Sequence, residues 1–256
     1  MLKKPTAVIS SLTMPWVALL EGMAFSPEAF SEDRERWSYS GKRGPAYWAT
    51  LDDDFASCGQ GKNQSPINLT QLLDGELPEI ELHYPTQGDK VINNGHTVQV
   101  NFPSGNILRM EGQAFELKQF HFHSPSENTI NGQSFPLEAH FVHADKRGNL
   151  AVVGVMFEQG AANEGLQPAW NQLPLHAGGQ ETLDVPIDAT KLMPSSLEYY
   201  RFNGSLTTPP CTEGVRWLVL KEPVSISKEQ VEAFQRAIPF DNNRPVQPVN
   251  ARVIVQ

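Results

Sequence analysis

The stretch QFHFHSP, residues 119–125, places two of the chain's seven histidines one residue apart, each directly after a phenylalanine. Because successive side chains of a β-strand point to opposite faces, His121 and His123 share one face. Phe120 and Phe122 then share the other face, which must be buried. The two histidines would lie about 7 Å apart along the backbone, a spacing that suits two ligands of one zinc ion. The same pattern also occurs by chance on the polar face of an ordinary strand, so a third ligand decides between these interpretations.

The segment EAHFVH, residues 138–143, offers two candidates for that third ligand, His140 and His143, which point to opposite faces of a strand. If this strand runs antiparallel beside the first with His140 opposite His121, Glu138 lies opposite the second histidine of the pair. His140 then joins the two ligands. His143 falls on the phenylalanine side, where we expect a hydrogen-bonded structural histidine. Three imidazoles with a carboxylate behind them and no fourth protein ligand are typical of an open, catalytic zinc site.

The composition is that of an ordinary globular domain with an acidic balance. The 256 residues carry a net charge of -9 and no basic run, which argues against nucleic acid and anionic membranes as partners. The length suits one domain, and 20 prolines and 19 glycines spread along the chain indicate many turns between short elements. We find no internal repeat.

The N-terminus differs from the rest of the chain. Two lysines precede the mostly apolar run at residues 7–20, and small residues follow at positions 22 and 24. This pattern predicts a secretory signal peptide over residues 1–24, too short to span a membrane, and a secreted or periplasmic domain over residues 25–256. The alternative is a buried or disordered N-terminal helix.

The chain has two cysteines, Cys58 and Cys211, both in polar, turn-like surroundings. An even count behind a secretory signal predicts one disulfide bond, and the alternative is two free thiols. Neither cysteine belongs to a Cys-x-x-Cys motif, which argues against redox catalysis and a thiolate zinc site.

The remaining pattern predicts a mostly β (α+β) single domain with a large, mainly antiparallel twisted sheet flanked by short helices. Residues 25–65 are irregular, and two helices are predicted at 162–173 and 227–238. Short β-rich runs separated by turn residues predict strands at 80–84, 97–102, 106–110, 115–123, 138–143, 150–157 and 215–221.

From about Trp37 to the C-terminus the chain resembles the α-class carbonic anhydrases. The similar blocks follow one another in the order of that family: 37–48, 63–69, 93–100, 119–128, 138–143, 204–220 and 241–248. The Ser-Pro after His123 and the pairing of Cys58 with Cys211 resemble bacterial secreted members. The resemblance implies zinc, one ion per chain, at the base of a conical cleft, with the motifs in residues 37–256.

The resemblance also implies roles for individual residues. His121, His123 and His140 would be the ligands, Gln119 would hold the first of them, and Glu138 would hold the third. Thr207 would accept a hydrogen bond from zinc-bound hydroxide and donate one to Glu127, which aims the hydroxide at carbon dioxide. The residues around the substrate would be an apolar wall of Val142, Val152, Leu206 and Trp217, with Thr208 at the mouth near departing bicarbonate.

Proton removal would depend on His96, which matches the family's shuttle position, and on Tyr39 and Asn94, which would order the intervening waters. Each implied role has a plainer alternative. His96 could be a turn histidine, Glu127 a solvated loop acid, the Thr-Thr-Pro-Pro run at 207–210 a rigid turn, and the apolar wall simply core.

The function that the resemblance implies is zinc-dependent, reversible hydration of carbon dioxide to bicarbonate and a proton, with minor esterase activity. Sulfonamides and anions would inhibit it, and the protein would be a monomer or homodimer. The rival hypotheses are a zinc hydrolase acting on activated esters, a non-enzymatic binding module, and a zinc-scavenging periplasmic protein. Three retained histidines, together with Thr207, Glu127 and His96, favour the enzyme.

Overall fold

The computed structural model describes residues 37–256, so the predicted signal peptide at 1–24 lies outside the described residues. Within the described part the protein is mostly β, as predicted. Its strands are β1 (Asn68–Leu69), β2 (Glu81–His83), β3 (Gly88–Asn93), β4 (Val98–Asn101), β5 (Ile107–Met110), β6 (Gln113–His123), β7 (Thr129–Ile130), β8 (Leu137–Ala144), β9 (Leu150–Gln159), β10 (Gln180–Ile187), β11 (Tyr199–Ser205), β12 (Glu213–Leu220) and β13 (Val224–Ile226).

Helices are few and short in this part of the chain. The α-helices are α1 (Ser57–Gln60), α2 (Gln167–Trp170) and α3 (Lys228–Ala237). Single 3-10 turns lie at Gly41–Arg43, Trp48–Thr50, Asp53–Phe55 and Ala189–Leu192. None of the helices in the described residues is long and apolar enough to cross a membrane.

Eleven strands form one sheet, whose central path runs β10-β3-β4-β6-β8-β9-β12-β11. Strands β2 and β5 extend it from β6, and β13 adds to β9. The pairs are antiparallel except β12–β9 and β13–β9, which are parallel. Strands β1 and β7 form a separate parallel pair. The prediction of a large, mainly antiparallel sheet is confirmed.

The register of β6 against β8 confirms the alternation argument. His121 lies opposite His140, and His123 lies opposite Glu138. His143 falls on the other face, where its Nε2 lies 2.6 Å from the hydroxyl of Tyr84. The strand alternation alone therefore selects which of the two histidines of β8 can join the pair on β6.

The phenylalanine face of β6 is packed against helices α2 and α3. Phe120 and Phe122 are fully buried, and the ring of Phe122 meets Trp170 of α2 and Phe234 of α3 edge-on. Helix α3 matches the predicted segment 227–238 and begins with a capping box between Ser227 and Gln230. Packing of the phenylalanines in this core holds β6 in place, and this positions the histidines on the opposite face of the strand.

The other predicted helix, at 162–173, was too long: only Gln167–Trp170 is helical. The backbone N–H of Asn163 donates to Oε1 of Gln230, and Asn163 Nδ2 donates to the carbonyl of Ser225. These bonds hold residues 162–166 as a loop against the start of α3. A tertiary contact has overridden the local helical pattern.

Cys58 and Cys211 form the predicted disulfide bond, with Cα atoms 5.0 Å apart and a sequence separation of 153. Closing a loop of this length removes about 5 kcal/mol of chain entropy from the unfolded state in the loop-closure model. The bond joins α1 to the segment after β11, where Thr207 and Thr208 lie.

Candidate metal centre

Three histidines from two neighbouring strands converge on one point. One nitrogen each of His121, His123 and His140 lies within 4.8 Å of the others. His123 and His140 are 1% exposed, whereas His121 is partly exposed. The three histidines are therefore largely buried, and His121 is the one that solvent reaches.

The remaining ring nitrogens have partners that fix each ring. His121 Nδ1 lies 2.9 Å from Oε1 of Gln119, and His123 Nδ1 lies 2.7 Å from the carbonyl of Asn242. His140 Nε2 lies 2.9 Å from Oε1 of Glu138. These contacts leave Nε2 of the first two rings and Nδ1 of the third for a metal. The buried Nε2 of His123 has no hydrogen-bond partner, and Nε2 of His140 lies close to Glu138 without the angle of a regular hydrogen bond.

Burial keeps the three rings neutral, which is the form that binds a metal. Burial lowers the pKa of His121 well below its usual range, and the nearby charges of the other two rings add to this. Burial likewise lowers the pKa of His140, and it lowers the pKa of His123 to about 4. Three neutral, converging imidazoles with oriented outer nitrogens are a donor set that fits zinc.

Glu138 is a fully buried carboxylate with both oxygens engaged. Its Oε2 accepts hydrogen bonds from the backbone N–H groups of Glu127 and Asn128, at 2.8 Å and 2.9 Å. Its Oε1 accepts one from the side chain of Asn128 at 2.8 Å and faces His140. Glu138 thus connects one imidazole of the centre to the backbone that carries Glu127.

Glu127 lies inside the site rather than in a solvated loop, since it is 1% exposed. Its Oε1 accepts a hydrogen bond from the N–H of Arg244 at 2.8 Å, and its Oε2 lies 3.5 Å from Nε2 of His123. Burial raises the pKa of Glu127, while the N–H of Arg244 and the hydroxyl of Thr207 act in the opposite direction. Thr207, itself 5% exposed, therefore lies beside this carboxylate.

Apolar side chains pack next to the three rings. Val152 and Trp217 belong to one buried cluster, against which Val142 and Leu206 are partly buried. The ring of His140 meets Trp217 edge-on with centroids 4.8 Å apart. Thr208 is partly exposed beyond them. Trp217 therefore links this apolar cluster to the metal centre, and the role of these residues around a substrate stays a prediction.

His96 lies in the turn between β3 and β4. Its ring stacks on Trp37 with centroids 3.8 Å apart and planes at 7°, and Tyr39 meets it edge-on. A cavity of about 240 Å³ opens among these rings and Phe240. The Oδ1 of Asn94 accepts the N–H of His96 and so shapes the turn.

Tyr39 stands near the metal centre as well as near His96. Burial raises the pKa of Tyr39, and the charge of Glu127 contributes in the same direction. Tyr39 is therefore linked to Glu127 through its charge and to His96 through a ring contact. The ordering of water by Tyr39 and Asn94 stays a prediction.

Sequence reasoning assigned no role to Asn128, Asn242 and Arg244. The guanidinium of Arg244, 2% exposed, donates to Oε1 of Gln64 and to the carbonyls of Ser65 and Cys58. These contacts span more than half of the chain, so no local pattern reveals them. Their one signal in the sequence is that they lie in the blocks 119–128 and 241–248, which resemble the family.

Three converging histidines that could hold a metal ion, with a buried carboxylate beside them, are typical of a metalloenzyme site. The sequence model described as eukaryotic-type carbonic anhydrase matches residues 43–256. A carbonic anhydrase of Pectobacterium atrosepticum is 48% identical over 239 residues, covering 93% of this chain and 97% of that protein. One of Neisseria gonorrhoeae is 50% identical over 241 residues, covering 94% and 95%.

A solved structure supports the same relationship. The α-carbonic anhydrase of Thermovibrio ammonificans, in complex with the inhibitor sulfanilamide, superposes with a TM-score of 0.85 at 47% identity. The match covers 86% of this chain and 98% of that one. The chain belongs to the eukaryotic-type (alpha) carbonic anhydrase family, and the predicted resemblance is confirmed.

Proposed function

We propose that the protein catalyses the reversible hydration of carbon dioxide to bicarbonate and a proton, with one zinc ion held by His121, His123 and His140. The observation that carries this proposal is the convergence of three neutral imidazole nitrogens within 4.8 Å, with the outer nitrogen of each ring no more than 2.9 Å from an oxygen atom. Zinc supplies Lewis acidity, which lowers the pKa of a coordinated water to about 7, a value established for carbonic anhydrases themselves.

Thr207 and Glu127 give the reacting oxygen a direction. An ionised carboxylate can only accept hydrogen bonds, so the Thr207 hydroxyl would donate its one proton to Glu127 and could act toward the reacting oxygen only as an acceptor. A divalent cation beside Glu127 favours its ionised form against the effect of burial. The pair then holds the oxygen in an orientation suited to attack on carbon dioxide.

The apolar wall would hold carbon dioxide and exclude competing water. Val142, Val152, Leu206 and Trp217 present no polar group toward a linear, weakly polar substrate, because the indole N–H of Trp217 donates to the carbonyl of Ser205. Thr208, at the mouth, would contact departing bicarbonate. The sulfanilamide bound to the Thermovibrio relative supports a further expectation, inhibition by sulfonamides and small anions.

The proton left by each turnover would leave through His96, because imidazole titrates near neutral pH. The disulfide supports export to an oxidising compartment, the periplasm or the exterior. Minor esterase activity, and a monomeric or homodimeric state, remain predictions.

The experiment that tests the function is stopped-flow hydration of carbon dioxide by the purified protein. We expect zinc-dependent hydration far above the buffer rate, and its inhibition by sulfanilamide. Ester cleavage without carbon dioxide hydration would instead support a hydrolase.

Replacing His96 by alanine should lower kcat in weak buffer at least about tenfold, since a positioned acid or base contributes about 10²–10⁴-fold and water recovers only part of this. Added imidazole should restore kcat. His176→Ala serves as the control, because His176 is exposed and lies outside the site. An unchanged kcat of His96→Ala in weak buffer would exclude the shuttle.

A further inference from the structure

The pairing of β4 with β6 ends at His121, two residues before β6 reaches His123. Its last backbone pair is Gln99 with His121. Beyond that pair the side chain of Thr97 replaces the missing strand: its Oγ1 accepts the N–H of Phe122 at 3.1 Å and donates to the carbonyl of Phe122 at 2.5 Å. Phe122 is the residue between the two histidines of β6, and Thr97 directly follows His96 in sequence.

Asn242 makes a second connection between the same two elements. Its Nδ2 donates to the carbonyl of Phe122 at 2.9 Å and to the carbonyl of His96 at 3.0 Å. Its Oδ1 accepts the N–H of Ser124 at 2.8 Å, and its own carbonyl faces Nδ1 of His123. The side-chain amide of Asn242 thus bonds the backbone of His96 and the backbone of the two residues on either side of His123.

Both side chains are buried, with Thr97 6% exposed and Asn242 fully buried. Polar groups at such depth are normally hydrogen-bonded. Here the hydroxyl of Thr97 bonds the backbone of Phe122 directly, and the amide of Asn242 bonds the backbone of both His96 and Phe122. The ring of His96 stacks on Trp37, so the imidazole is held by that stack on one side and by its backbone on the other. Movement of the backbone would change the separation of the imidazole from the metal centre.

We propose that Thr97 is a positioning residue: its hydroxyl, together with Asn242, ties the His96 turn to β6 and so sets the separation of the imidazole from the metal centre for proton transfer. The inference rests on the proposed shuttle role of His96. Thr97 touches neither substrate nor metal ligand side chains. Its contribution acts through the backbone of the turn and of Phe122.

The test compares Thr97→Val, which keeps the shape and removes the hydroxyl, with Thr97→Ser, which keeps the hydroxyl. Proton export follows product release, so it enters kcat and not kcat/KM. We expect Thr97→Val to lower kcat in weak buffer about 3- to 10-fold, the factor that one hydrogen bond is worth, with kcat/KM unchanged. Thr97→Ser should retain the kcat of the parent protein, and added imidazole should restore Thr97→Val.

A double variant separates positioning from a general structural role. In the His96→Ala background, Thr97→Val should cause no further loss of kcat, because the hydroxyl acts only through the imidazole. Zinc content and melting temperature are measured for every variant, and Thr97→Ala replaces Thr97→Val if the latter does not fold. An equal fall of kcat and kcat/KM, or additive losses in the double variant, would overturn the inference.

The same experiment separates this inference from the proposal on which it rests. If His96→Ala leaves kcat in weak buffer unchanged, the shuttle and the positioning role both fail. If His96→Ala lowers kcat and Thr97→Val does not, the shuttle stands and the positioning role of Thr97 fails alone.

Discussion

His140→Ala should bind zinc about 10³-fold more weakly than the parent protein and should lose nearly all hydration of carbon dioxide. Structural zinc sites bind with about 10–16 kcal/mol, so one of three imidazoles accounts for roughly 3–5 kcal/mol. The loss also leaves Oε1 of Glu138 facing a void in a fully buried position. Zinc content after dialysis and stopped-flow hydration measure both effects.

A matched control for this variant is His83→Ala, because His83 is exposed on β2, outside the site. It should keep full zinc content and the parent hydration rate. A His140→Ala protein that holds one zinc per chain and hydrates carbon dioxide at the parent rate would show that the metal lies elsewhere.

The second large effect concerns the direction of one hydrogen bond. Glu127→Gln should retain zinc but hydrate carbon dioxide about 10²- to 10³-fold more slowly, the range found for removal of one preorganised transition-state contact. Unlike an ionised carboxylate, the glutamine amide can donate a hydrogen bond to the Thr207 hydroxyl. The hydroxyl then no longer has to donate its own proton to residue 127. The backbone N–H of Arg244 can still donate to the side-chain oxygen of the glutamine amide, so we expect the fold to be retained.

Two substitutions at Thr207 check this explanation. Thr207→Val removes the hydroxyl and should match Glu127→Gln in rate, whereas Thr207→Ser keeps the hydroxyl and should remain close to the parent. The double variant of Glu127→Gln and Thr207→Val should hydrate carbon dioxide little more slowly than either single variant, because both substitutions disrupt the same hydrogen-bonded pair. Additive losses would mean that the two residues act independently.

The ligand set could be predicted from sequence because strand alternation is a rigid rule. Parity on β6 placed His121 and His123 together, and the opposite parities of His140 and His143 left one choice. The observed register agrees with each step. Strand geometry was sufficient to predict the ligands because the three ligand histidines, and the rejected His143, lie within two adjacent strands.

The surroundings of the ligands could not be derived in the same way. The carboxylate of Glu127 is held by the N–H of Arg244, 117 residues further along the chain, and His123 Nδ1 faces the carbonyl of Asn242, 119 residues away. Only the family resemblance pointed to Glu127 and Thr207. It gave no role to Thr97, whose hydroxyl acts where a strand pairing ends.

Some elements of the sheet also escaped prediction. Strand β10 is exposed along most of its length, with only Leu183 and Ile187 buried, so it lacks the alternation of a half-buried strand. Strand β10 forms because it pairs with β3, and its own sequence does not indicate this pairing. The fold class was therefore predictable, while the edges of the sheet depended on contacts distant in sequence.

The most direct test of the central claim is a zinc titration of the metal-free protein, followed by stopped-flow hydration of carbon dioxide at each point. We expect hydration to be absent without metal, to rise in proportion to added zinc, and to stop rising at one zinc per chain. Hydration that is present in the metal-free protein, or that does not respond to zinc, would contradict the assignment of His121, His123 and His140 as a catalytic zinc centre.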